Sequence, residues 1–222
     1  MRTITFSKCF LVAAFVVAAS AALAQDKVPL KIQLPRPLFV GTPVPLNVPN
    51  LEPPMKGKRP DFMVPVGTLN LARGKKVTSS DNNPVVGTLE LVTDGDKAGD
   101  EGSWVELGPG KQWVQIDLAR SANIYAVIVW HFHSQARVYR DVIVQVSNDP
   151  TFRSGVITIF NNDFKGELGA GAGKDLNYVE TYQGKLIDAK GANGRYVRLY
   201  SNGNTTNKLN DYIEVEVWGK PA

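Results

Sequence analysis

From residue 70 onward, apolar and polar positions trade places over short runs, and no stretch of ordinary helix length keeps a helical period. Residues 113–118 (WVQIDL) alternate, as do residues 139–147 (YRDVIVQVS), which Asn148, Asp149 and Pro150 close. Residues 123–133 (NIYAVIVWHFH) are instead apolar on both faces until their end. GVITIF (155–160), GKLIDA (184–189), RYVRLYS (195–201) and DYIEVEVWG (211–219) complete the set. Val, Ile, Tyr, Trp and Phe recur in these runs, with Gly, Asn, Asp and Pro between them. Several short strands at such spacing predict an all-β sandwich or barrel.

Residues 25–68 follow a different rule. Ten prolines fall between Pro29 and Pro65. Each fixes φ and removes a backbone donor, so an extended, polyproline-like course is expected rather than a packed helix or central strand. Yet Leu30, Ile32, Leu34, Leu38, Phe39, Leu46, Leu51, Phe62 and Met63 are scattered among them. Two readings stand: a linker, or an arm that lays apolar side chains on the following domain or on a partner.

The first 24 residues belong to neither zone. Arg2 and Lys8 precede the apolar run CFLVAAFVVAASA, and Ala22-Leu23-Ala24 has the small residues that a signal peptidase reads. The run is short for a membrane span of roughly 20 residues, so cleavage after Ala24 is expected. The only cysteine, Cys9, leaves with it, and disulfide or thiol chemistry with that cysteine. The formal charge falls from +4 to +2 (4 − 2, for Arg2 and Lys8), too weak a balance to argue for nucleic acid or an anionic membrane.

Both histidines, His131 and His133, sit at i and i+2, on one face of a strand. A zinc site needs three or four protein ligands, and no further histidine or mature cysteine exists to supply them. No Ser or Cys nucleophile motif accompanies them. The glycine-rich run 166–175 (GELGAGAGKD) fails the phosphate-loop spacing at Leu168 and Asp175, so it reads as a surface loop. The four tryptophans sit in or beside predicted strands and are expected in the core, whereas Tyr178 and Tyr182 lie nearer loops.

In order and spacing, several fragments resemble one family. Asn70-Leu71-Ala72 with GKKVTSS opens the domain, followed by Thr93-Asp94-Gly95-Asp96, Trp104 and VQIDL (114–118). VQVSND (144–149), RYVRL (195–199) and the closing IEVEVWG (213–219) come later. Together they are similar to a discoidin, or coagulation factor 5/8 type C, domain, a family whose bacterial members overlap with galactose-binding-like carbohydrate-binding modules. The resemblance spans roughly residues 70–219. It implies an eight-stranded antiparallel jelly roll over residues 69–222, with termini close together at one end and ligand loops at the other. It also implies binding rather than catalysis, with carbohydrate on an envelope or extracellular polymer as the first expected partner. The alternative is a structural or adhesion role with a surface protein as partner.

Carbohydrate-binding members use His, Arg, Asn and aromatic side chains on such loops. His131, His133 and Arg137 on one loop and Asn202 and Asn204 on another are therefore the candidate ligand-binding residues. Thr93-Asp94-Gly95-Asp96 offers two carboxylates about a tight turn, suited to a hard cation. Bacterial relatives hold a structural calcium with this turn and with the glutamate of the closing strand. Asp94, Asp96 and Glu214 are the corresponding candidate calcium ligands.

Overall fold

The structure, a computed structural model, describes residues 26–38 and 46–222. The expected signal segment and its cleavage point lie outside the described residues, as do Phe39 and Val40 of the arm. Thirteen strands are described: β1 Lys27–Pro29, β2 Met63–Pro65, β3 Leu69–Asn70, β4 Lys76–Ser79, β5 Val105–Leu107, β6 Gln112–Trp130, β7 Val138–Tyr139, β8 Ile143–Ser147, β9 Ile157–Asn161, β10 Tyr178–Val179, β11 Lys185–Ser201, β12 Asn210–Tyr212 and β13 Glu214–Pro221. Seven form the main sheet, ordered β3-β13-β6-β11-β8-β9 with β4 also on β6. β1–β2, β5–β12 and β7–β10 are two-stranded pairs, and every pair of strands is antiparallel. The count differs from eight because several connections hold one short extra pair.

Two long strands make the sandwich. Runs expected as separate strands, 113–118 with 123–133 and 184–189 with 195–201, are continuous in β6 and β11. Each bends midway, with positive φ at Ala119 (69°) and Lys190 (52°) and register shifts between Asp188 and Tyr196. The first half of β6 pairs with β4 and with the far half of β11, which carries β8 and then β9. The second half pairs with β13 and the near half of β11. The sheet thus doubles over. Val114, Ile116, Val144, Val197 and Leu199 of one layer meet Val127, Val129, Ile187, Val215 and Val217 of the other in a single core. The strand pattern indicated a sandwich or barrel, and the arrangement is the β-sandwich jelly roll that the resemblance implied. Its chain ends lie beside the bends, since Asn70 faces Trp218 and Pro221 faces Ala122. Loops 94–104, 131–137, 162–177 and 202–209 occupy the other end.

The doubly apolar run 123–133 has a physical reason. Val127 and Val129 point into the sandwich, while Ile128 and Trp130 point out of it and form a second buried cluster with Ile213. Leu30 and Ile32 of the arm pack on that cluster, with Leu186, Trp104 and Trp218. Of the two readings of the arm, the described residues support the one in which it lies on the domain. It is not wholly polyproline-like, since β1 and β2 pair with each other. The Asn177 N–H donates to the Asn50 carbonyl, and the Glu52 N–H donates to the Asn177 carbonyl. Arg59 donates from its backbone N–H to Gln183 Oε1 and from Nη2 to the Gln183 carbonyl, and Gln183 Nε2 donates to the Gly57 carbonyl. Among the tryptophans only Trp130 is fully buried; Trp113 lies on the outer face of the other layer, beneath the Arg198 guanidinium.

Replacing Leu30 and Ile32 together by Ala should lower stability by about 1–3 kcal/mol, the burial of both being partial. Chemical denaturation measures this, and an unchanged midpoint would show that the arm does not hold this face in solution.

Candidate functional site

The residues expected to form a recognition rim are brought together, but inside the protein. His131 is 0% exposed and stacks on Tyr139, with ring centroids 4.2 Å apart. Its Nδ1 donates to the Asp211 carbonyl at 2.7 Å, and its backbone N–H donates to Glu180. Burial, against that bond, lowers its pKa to about 4. His133 is also 0% exposed, and its Nε2 donates to the Lys97 carbonyl at 2.8 Å. Each histidine therefore serves a different backbone carbonyl, and the second ring nitrogen of each is buried without a partner.

Arg137 is 7% exposed and donates from Nη1 to Asp211 Oδ2 at 2.9 Å, its guanidinium 4.0 Å from the Phe132 ring centre. Asn204 accepts the Thr206 and Asn207 N–H groups on its Oδ1, which shapes its own loop, and its Nδ2 reaches Asp211. Asn202 is half-buried beside Asp141. The rim is thus corrected to a buried knot around Asp211 that ties the loop after β6 to the loop before β12. Glu106 lies directly opposite Asp211 in the β5–β12 pair. Burial first, and Glu106 next, push the Asp211 carboxyl up, while Arg137 opposes them. Asp211 and Glu106 carry no sequence signal because a nonlocal strand pairing joins them.

The turn expected to hold calcium does meet the closing strand. Glu214 Oε2 accepts the Gly95 N–H at 2.9 Å, Asp94 Oδ1 accepts the Asp96 N–H, and Asp96 Oδ1 accepts the Ala98 N–H. Glu214 is 0% exposed, and its Oε1 has no partner. Burial raises its pKa to about 9, with further contributions from Glu216 and Asp94. An orphaned buried carboxylate oxygen suits a hard cation. Asp94 and Asp96 are exposed, and among the described residues no three His, Cys, Asp or Glu side chains converge as a metal set. A cation beside Glu214 would complete its shell with backbone carbonyls and water.

A cleft of ≈ 910 Å³ lies between arm residues 52–62 and residues 176–186, next to the loop end. Pro53, Pro54, Met55, Pro60 and Phe62 form one wall; Leu176, Tyr178, Tyr182 and Leu186 form the other. The Tyr178 hydroxyl, buried, has no partner. Glu180 accepts the His131 and Thr181 N–H groups, and burial raises its pKa to about 8. Lys185 pairs with Glu52, and Arg59 donates to the Gln183 and Gly184 carbonyls. The turn beneath is set by the core: Trp130 Nε1 donates to the Tyr182 carbonyl at 2.9 Å. Gly184 has φ +67°, and a Cβ there would lie 2.6 Å from Trp130. The buried histidine knot supports this floor from below through the His131–Glu180 bond. Tyr182 is half-buried, whereas Tyr178, expected to be freer, is buried.

No family model matches the sequence, and no curated protein matches it. Solved structures do. A family 89 glycoside hydrolase from Clostridium perfringens is 18% identical, with a TM-score of 0.52 over 69% of this chain, which spans 15% of the hydrolase's length. A histidine mutant of the lectin-binding domain of lectinolysin, complexed with Lewis b, is 20% identical, with a TM-score of 0.50 over 71% of this chain and 100% of that one. At these identities the likeness is one of fold: the chain shares their antiparallel β-sandwich jelly roll.

Proposed function

We propose that this protein is an exported, non-catalytic module that binds carbohydrate in the cleft between its arm and residues 176–186. The cleft carries the reading: it is concave, lies next to the loop end, and combines aromatic rings with hydrogen-bonding groups on a rigid β frame. Sugars offer apolar C–H faces to rings and hydroxyls to polar groups that line the cleft, the half-buried Tyr182 among them. The lectinolysin domain, a discrete unit of the same fold complexed with Lewis b, is consistent with this role. The N-terminal segment supports export, and among the described residues no helix is long and apolar enough to cross a membrane. A second reading, a protein partner at the cell surface, draws on Val28, Leu34, Met55, Met63 and Val66, which the arm leaves exposed. Calcium, bound through Glu214 with Asp94 and Asp96 nearby, would neutralise the buried carboxylate and hold the 94–98 turn without taking part in any reaction.

On a glycan array, the arm-bearing protein should bind a defined set of sugars, and Tyr182→Ala should weaken binding about tenfold, a loss of about 1.4 kcal/mol. Binding to no glycan would sink the reading; binding indifferent to Tyr182 would remove it from this cleft. Arg137→Ala should act on stability, lowering it by about 3–5 kcal/mol because Asp211 is left buried and unpaired. A folded variant of unchanged midpoint that has lost binding would restore Arg137 to the ligand site.

Glu214 gives a pH test. Folded, it keeps its proton up to about 9, whereas unfolded it releases it near 4.5. The folded state therefore holds more protons across that window, and this group's contribution falls as pH rises through it. In chelator, the difference in stability between wild type and Glu214→Gln should shift against wild type from pH 5 to 9. Added calcium should reverse that shift in wild type alone, and an equal calcium response in both proteins would place the ion elsewhere.

A further inference from the structure

Resting on the carbohydrate reading, we infer that the cleft selects glycans that carry carboxylates, such as uronic-acid chains, over neutral ones. The charges that line it are uneven. Lys58, Arg59 and Lys185 face Glu52, Asp61 and Glu180. Lys185 and Glu52 cancel each other in an ion pair. Glu180 is sealed beneath the floor, where the His131 and Thr181 N–H groups occupy its oxygens, so it does not face a ligand. Three cations against Glu52 and Asp61 leave one positive charge (3 − 2).

A second, smaller hollow of ≈ 260 Å³ continues the cleft along the arm and shares Lys58, Arg59, Asp61 and Phe62 with it. It adds Lys31 and no further acid, so the combined trough carries two net positive charges (4 − 2). Arg59 is half-buried, anchored by the two carbonyls of Gln183 and Gly184, and makes no ion pair among the described residues. Carbonyls position a guanidinium without neutralising it. A ligand carboxylate beside it would gain a charge-assisted hydrogen bond in a partly desolvated place, where such bonds are about twice as strong as neutral ones. A neutral sugar would use the rings and leave the excess positive charge of the trough unmatched.

The test is calorimetric titration of the arm-bearing protein with trigalacturonate and with a neutral galactose trisaccharide, in chelator so that no calcium bridges the acids. Trigalacturonate should bind about tenfold tighter at low salt, an advantage of about 1.4 kcal/mol, and added salt should erode that advantage. Lys31 and Lys58 are exposed, so the K31Q/K58Q double variant should fold normally and lose most of the preference. Equal binding of the two trisaccharides would overturn the acidic class while leaving the module reading intact. A preference that survives in K31Q/K58Q would remove the trough as its source. Failure to bind any glycan on the array would overturn the carbohydrate reading and this inference together.

Discussion

The fold depends on how the second layer of the sandwich hides its outer face. Ile128, Trp130 and Ile213 point away from the main core. A large apolar side chain left in water forgoes about 1.5–3 kcal/mol. Leu30 and Ile32 from the arm, with Leu186, Trp104 and Trp218, cover them. Proline suits a covering strap. β1 and β2 both end in it, at Pro29 and Pro65, where an edge needs no further ladder bond. A chain already restricted in φ also loses less freedom when it docks.

At the loop end the problem is charge rather than apolar area. Among the carboxyl groups buried there are Glu180, Asp211 and Glu214. Asp211 is met by the Arg137 guanidinium, and Glu180 by two backbone N–H groups, from His131 and Thr181. Glu214 has the Gly95 N–H alone, and one of its oxygens is unmet. Glu180 has a donor on each oxygen and organises its loop. Asp211, although paired with Arg137, keeps its Oδ1 unmet, as Glu214 keeps its Oε1.

Much of the fold was legible in the residues. Alternation placed most of the sandwich strands, and residues apolar on both faces marked the layer that proved to be covered twice. The short pairs escaped, β5 with β12 and β7 with β10, because two or three residues hold no period. The bends were misread as chain breaks: Ala119 and Lys190 carry positive φ without the glycine that usually announces it. The site was harder. His131, His133 and Arg137 were correctly placed at the loop end, but their side chains turn inward to Asp211 and to the Lys97 carbonyl. Residue type tells what a side chain can bond, and only the long-range pairing tells whether a protein group has already claimed it. The meeting of Gly95 with Glu214 came through, because a resemblance in order and spacing already encodes such a pairing.

The cleft has walls from two places far apart in the chain. Arg59 and Gln183, which lock them together, are 124 residues apart in sequence. The sandwich supplies one wall, fixed to Trp130, and the arm supplies the other without contributing a strand to the main sheet. The binding surface is therefore modular in an unusual direction. Exchange of residues 52–62 for another segment would redraw half of the recognition surface while the barrel of strands, its bends and its buried carboxyls stayed as they are. The arm is the part of this protein through which specificity can drift while the fold stands still.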